Sequence, residues 1–203
     1  MPFNLFIMII YLDTETTGLR PGNICQLSYI KQYRDRVEPV NIFFSVDFVE
    51  MSAYAVHHFS VELLKKLSNG KRFNHYAKKI AKDFASANLI CAHNVSFDFS
   101  FLRKEFETAG EDFKYNEIFC SMKKFTPICK LKRTNSLGYK YPKLNELCAF
   151  LGITDSEIER ETNNLFNEKL LFHDARYDTT AVYLAVNKAL NTLEEFSYIK
   201  ELL

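Results

Sequence analysis

Residues 6–12 form an unbroken apolar run, Phe-Ile-Met-Ile-Ile-Tyr-Leu, that ends directly on Asp13 and Glu15. An isoleucine-rich run of this length reads as a strand covered on both faces, hence a central strand of a layered domain. A membrane or export role for residues 3–12 fails. The stretch is too short for a bilayer, no basic residue precedes it, and no small-residue cleavage site follows it. Asp13 and Glu15 are two residues apart, so on a strand both side chains leave the same face. Two such acids repel each other unless something positive lies between them. Taken alone, the triplet equally fits a turn capped by Asp13 and Thr14 and bent at Gly18.

The rest of the chain alternates strand and helix signals. Residues 24–33 and 37–46 read as two strands joined by Arg34-Asp35-Arg36, an antiparallel pair. A short helix opens after Ser60 as N-cap. Residues 72–85 place Phe73, Tyr76, Ala77, Ile80, Ala81 and Phe84 on one stripe, an amphipathic helix. A buried strand is expected over 88–92, a helix over 97–109 closed by Gly110, a strand over 118–121, and a helix over 143–151 closed by Gly152. A long helix over 174–191 carries Ala175, Asp178, Val182, Ala185, Val186 and Ala189 on one face. Strands followed by alternating helices and strands define an α/β domain with a mixed sheet. With 203 residues, 47% of them hydrophobic and few Gly or Pro, the whole chain, residues 1–203, is expected to form a single domain. The five cysteines are odd in number and form no Cys-x-x-Cys pair, which argues against a disulfide framework or structural zinc and for a reducing, cytoplasmic setting.

Two further segments carry acids in suggestive places. His93-Asn94-Val95-Ser96-Phe97-Asp98 follows the strand expected over 88–92, and His173-Asp174-Ala175-Arg176-Tyr177-Asp178 opens the last long helix. Asp98 alone could be a helix-dipole charge. Asp178 is more telling, because it falls on the apolar stripe of its helix, where an unpaired carboxylate would cost several kcal/mol, roughly. A structural ion pair with Arg176 could relieve it. A divalent cation shared with Asp13, Glu15 and Asp98 would relieve four acids at once, and metal-dependent phosphodiester cleavage uses carboxylates gathered in this way. His173 stands five residues before Asp178, too far around a helix to share its face, so it belongs to the segment before the helix, with Asp174 as N-cap. A histidine there is suited to accept a proton from an attacking water.

These residues resemble the DEDDh branch of the DnaQ-like 3′–5′ exonucleases. Asp13-x-Glu15-Thr-Thr-Gly looks like that family's first motif, His93-Asn94-x-x-Phe97-Asp98 its second and His173-x-Ala175-x-x-Asp178 its third. The tyrosine-type sister branch expects Tyr where Asp174 stands. Residues 55–60 and 143–148 also resemble connecting segments of the family. The resemblance implies an RNase H-like fold, a five-stranded mixed sheet with its second strand antiparallel, flanked by helices. It implies two Mg²⁺ or Mn²⁺ ions held by Asp13, Glu15, Asp98 and Asp178, with His173 as the base and nucleoside 5′-monophosphates as products. It further implies that Thr16, Thr17 and Leu19 line the pocket for the terminal nucleotide, with backbone and hydroxyl groups near its 3′-OH. Asn94 and Phe97 would support the second motif, and His57 would either approach the substrate or serve structure.

Between Glu117 and Glu146 no acid occurs, while Lys123, Lys124, Lys130, Lys132, Arg133, Lys140 and Lys143 do, interleaved with Phe125, Tyr139 and Tyr141. Such a stretch suits single-stranded nucleic acid and equally an ordinary solvated loop. The net charge of +1 means any attraction to nucleic acid is local. The favoured substrate is single-stranded DNA or frayed 3′ ends, as in proofreading or repair. An RNA trimmer resembling oligoribonuclease or RNase T is the alternative, and a non-catalytic nucleic-acid-binding module is disfavoured by the retention of all five chemical residues. A polymerase or homodimer partner cannot be inferred.

Overall fold

In the computed structural model, residues 7–134, 137–167, 174–196 and 199 are described. Five strands form one sheet in the order β3-β2-β1-β4-β5: β1 Ile9–Thr16, β2 Ile24–Gln32, β3 Val37–Phe43, β4 Leu89–Ala92 and β5 Glu117–Cys120. β2 runs antiparallel to β1 and β3, while β1, β4 and β5 are parallel. Among the described residues eight α-helices flank the sheet: α1 Met51–His57, α2 Val61–Leu67, α3 Ala77–Ser86, α4 Val95–Ala109, α5 Ser121–Cys129, α6 Leu144–Phe150, α7 Asp155–Phe166 and α8 Ala175–Thr192. The expected RNase H-like topology, including the antiparallel second strand, is the one found.

The apolar run becomes the middle of this sheet because both of its faces are covered. Ile10 and Leu12 pack with Leu27, Tyr29, Ile80 and Phe84 under α3 and α4. Ile9 and Tyr11 pack with Phe119, Leu147, Val182 and Val186 under α6 and α8. The alternation continues past the apolar run, so Asp13 and Glu15 fall on the α8 side of β1. Parallel β1, β4 and β5 end at one edge of the sheet, where open α/β sheets gather functional groups. All five cysteines are buried and free, Cys91 and Cys148 among the core residues. Among the described residues no helix is long and apolar enough to cross a membrane.

The differences from the sequence reading have identifiable causes. β1 continues to Thr16, three residues beyond the expected end, because Asp13–Glu15 keep pairing with β2 up to a bulge between Glu15 and Thr16. The stripe over 72–85 is broken into a 3₁₀ turn, Phe73–His75, and then α3. Asn74 and His75 are weak helix formers, and the His75 ring accepts from the Arg72 N–H at 3.4 Å instead of leaving the backbone to a regular helix. Residues 121–129, taken as part of a basic loop, are helical; Pro127 lies in the last turn, where it ends the helix rather than interrupting it. α7 is so polar that only Ile158 and Thr162 are buried, and its apolar stripe is too thin to see. Its capping signal was nevertheless present: Thr154 accepts from the Glu157 N–H at 3.2 Å. After α8, Phe196 packs inward against Phe119 and Phe125.

Phe84 is fully buried and meets Tyr29 edge-on at 5.6 Å between ring centres. Phe84→Ala should therefore lower unfolding free energy by about 3–5 kcal/mol, measured by urea denaturation.

Candidate active site

Two elements distant in sequence meet at the carboxyl end of β1. Carboxylate oxygens of Asp13 and Glu15 and one from Asp178, in the first turn of α8, all lie within 4.8 Å of one another. Asp98, in the first turn of α4, is buried and accepts from the Thr14 hydroxyl at 2.8 Å. It is not part of the three-way group, yet its charge reaches it. Burial, then Asp178, Asp98 and Glu15 in turn, hold the Asp13 carboxyl well above the usual range. Burial followed by the charges of Asp178, Asp174 and Asp98 raises Glu15. Burial also raises Asp98 to about 7, against the opposing Thr14 hydrogen bond. These acids are held together against their mutual repulsion. Hard oxygen ligands at about 2.0–2.6 Å from an ion lie roughly 3–5 Å from one another, so the cluster could hold a divalent cation.

α8 is docked by buried polar bonds. Gln26 stands opposite Glu15 in the β1–β2 register. Its Nε2 donates to Asp174 Oδ1 at 2.7 Å, and its Oε1 accepts from the Ala175 N–H at 3.1 Å. Asp174 caps the helix through the Arg176 N–H at 3.0 Å, the role expected of it. Arg176, weighed as an ion-pair partner for Asp178, makes a two-pronged bond to Asp174, Nε to Oδ1 at 2.9 Å and Nη2 to Oδ2 at 2.5 Å. One turn along, the Thr179 hydroxyl donates to the carbonyl of Ser28, which faces Asp13 in the register. Gln26 was missed from the sequence because a lone glutamine in a strand carries no local signal.

The second motif is set by backbone geometry. Asn94 adopts φ 64°, a left-handed conformation asparagine tolerates, and so turns the chain from β4 into α4. His93 Nε2 donates to the Pro142 carbonyl at 3.0 Å, which leaves Nδ1 to accept from the Ser121 hydroxyl at 3.0 Å. Burial lowers this imidazole to about 4 and keeps it neutral.

Beside the cluster lies a cavity of about 300 Å³ whose wall includes Glu15, Thr16, Leu19, Val56, His57 and Phe97. The expected substrate residues divide here. Thr16, Leu19, His57 and Phe97 line the cavity, whereas Thr17 and Asn94 do not. Hydroxyls of both threonines are committed to the turn rather than offered to a ligand. Thr16 donates to the Gly18 carbonyl at 2.8 Å, and Thr17 to the Asn23 carbonyl at 3.2 Å. His57 uses both ring nitrogens internally: Nδ1 accepts from the Phe59 N–H at 3.0 Å, so Nε2 carries the proton and faces the Thr16 carbonyl at 3.2 Å. A Cβ at Gly18 would fall 2.4 Å from the Glu50 carboxyl group, so a larger residue there would require that side chain to move aside. His173, expected as the base, lies outside the described residues.

Relief of repulsion gives a test. Asp13→Asn should raise the thermal midpoint of the metal-free protein by the equivalent of about 1 kcal/mol. Adding Mn²⁺ should raise the midpoint of the wild type and leave that of the variant nearly unchanged, as followed by scanning calorimetry.

Comparison with known proteins agrees with this geometry. The exonuclease family profile, RNase T type, matches residues 10–186. No curated protein sequence matches the chain. Among solved structures, Escherichia coli exonuclease I in complex with a dA16 oligonucleotide superposes with a TM-score of 0.72 at 18% identity, covering 96% of this chain and 43% of that one. The zinc-ion-bound form of the E. coli exonuclease I–ssDNA complex gives 0.73 at 18% identity, with 96% and 43% covered. A product-bound exonuclease I gives 0.73 at 18%, with 97% and 46% covered. The chain thus spans less than half the length of these proteins, and at such identity the likeness is one of fold. A profile match over most of the chain, joined to the acidic motifs in order, makes it a member of the exonuclease family, in its DEDDh branch.

Proposed function

We propose that the protein is a metal-dependent 3′–5′ exonuclease that releases nucleoside 5′-monophosphates from single-stranded DNA or frayed 3′ ends. The observation that carries this reading is the meeting of Asp13, Glu15 and Asp178 within 4.8 Å beside a cavity of about 300 Å³. Two Mg²⁺ or Mn²⁺ ions bound there by Asp13, Glu15, Asp98 and Asp178 would acidify the attacking water and neutralise charge building on the phosphate and the leaving 3′-oxygen. Glu15 belongs both to the cluster and to the cavity wall, so a nucleoside filling the cavity presents its phosphate to the carboxylates. The apolar side chains of Leu19, Val56 and Phe97 pack against its base. At about 300 Å³ the cavity has room for one terminal nucleoside, which favours trimming from an end over internal cutting. In this reading His173 takes the proton from the water, one residue ahead of the anchored Asp174.

The strand beyond the terminal nucleotide would follow the basic segment. Lys123, Lys124, Lys130, Lys132 and Arg133 are exposed, whereas Lys140 is engaged by Glu146. Lys132 bridges to Tyr139 and the Lys140 N–H donates to the Leu131 carbonyl at 2.8 Å, which makes a hairpin. Its far end, Pro142, is tied to His93 of the second motif. Leu137, Tyr139 and Tyr141 are exposed on it, apolar platforms among cations, the combination that holds bases and phosphates of a single strand. The structurally similar exonuclease I is known bound to single-stranded DNA, which favours DNA over RNA here. Five buried, free cysteines suit work in the cytoplasm.

Matched 5′-labelled DNA and RNA oligonucleotides with Mn²⁺ test the reading. Stepwise shortening from the 3′ end, faster on DNA, is expected, abolished by EDTA and by Asp178→Asn; internal cuts or an active variant would refute it. The double change Lys132→Glu, Arg133→Glu should weaken binding of a 20-mer by about tenfold at moderate salt and leave cleavage of a dinucleotide unchanged.

A further inference from the structure

Asp98 and Glu105 are two helical turns apart on α4, and so share a face. Asp98 takes the Thr14 hydroxyl on β1. Glu105 is 5% exposed, rare for a carboxylate, and its hydrogen-bond partners are not cations, although the charge of Arg72 reaches it. Oε1 accepts from the Ile24 backbone N–H at 2.9 Å and from Asn23 Nδ2 at 3.2 Å. Arg72, on the same small cavity, is bridged to Asp47. Ile24 is the residue opposite Thr16 where the bulge shifts the β1–β2 register, and its N–H is turned to the carboxylate. Asn23 in turn grips the first motif: its carbonyl accepts from the Thr17 N–H at 3.0 Å, and its own N–H donates to Thr17 Oγ1 at 3.2 Å. Thr16, Gly18 and Leu19, on either side of Thr17, form part of the cavity wall.

We propose that Glu105 is a positioning residue for the reaction. Its carboxylate fixes the turn after β1 to α4, so the helix that carries Asp98 grips the first motif at both ends and sets the cavity wall against the carboxylates. This inference rests on the exonuclease reading and adds to it a residue outside all three motifs. A buried acceptor with two N–H donors is replaceable by an amide of the same shape and not by a hydrocarbon.

The test uses the p-nitrophenyl ester of thymidine 5′-monophosphate with Mn²⁺, with thymidine 5′-monophosphate as competitor, at temperatures where circular dichroism shows each variant folded. Glu105→Gln should keep KM and the inhibition constant within about twofold of wild type. Glu105→Leu should raise both about tenfold with a smaller change in kcat, because the wall is displaced while the metal ligands remain. Phe106→Leu, a core change on the same helix, should lower stability and leave both constants unchanged. A folded Glu105→Leu with wild-type constants overturns the proposal, as does Phe106→Leu shifting them equally. If Glu105→Leu does not fold, Asn23→Ala decides: a rise of about threefold in KM supports the proposal and no rise overturns it. A wild-type protein that cleaves neither the ester nor an oligonucleotide refutes the functional reading itself, which separates the two failures.

Discussion

Like-charge repulsion is the constraint around which the molecule is organised. Asp13, Glu15 and Asp178 would separate if their backbones allowed it, and burial of Asp98 nearby adds to the strain. Their backbones do not allow it, because each stands on an element fixed elsewhere. β1 is paired on both sides and covered on both faces, and α8 is packed along its apolar stripe. The hydrophobic core thus supplies the rigidity that keeps charges where water alone would not.

Buried polar bonds then set the fine alignment. Gln26 locks the start of α8 to β2 directly opposite Glu15, and the Asp174–Arg176 pair closes that helix end. On the other face, Asn94 turns β4 into α4 and Thr14 receives Asp98. Neutral His93 joins the second motif to the basic hairpin, so both ends of the expected strand path share one frame. Gln26, Asp174, Arg176, His93 and Asp98 are each buried or half-buried and hydrogen-bonded, as most polar groups inside a protein are.

Much of this was legible in the chain because periodicity and special residues act locally. The isoleucine run announced a central strand, and Asp178 on an apolar stripe announced a charge with a purpose. Other features were hidden for physical reasons. α7 buries too little to show a stripe, Pro127 disguised a helix end as a loop, and Asn74 with His75 broke a helix that the apolar spacing favoured. The threonine hydroxyls were assigned to the ligand because a motif does not reveal which of its polar groups the turn itself consumes. Gln26 and Glu105 were invisible for a deeper reason: each accepts from a backbone N–H, 149 and 81 residues away, and the backbone has no letter in the sequence.

The separation of Asp13 from Asp178 along the chain has a consequence for biosynthesis. Emerging from the ribosome, the polypeptide exposes its first acids long before α8 exists to meet them. A nascent chain that has not yet reached α8 therefore lacks one side of the carboxylate cluster. The cluster is completed only when α8 packs against β1.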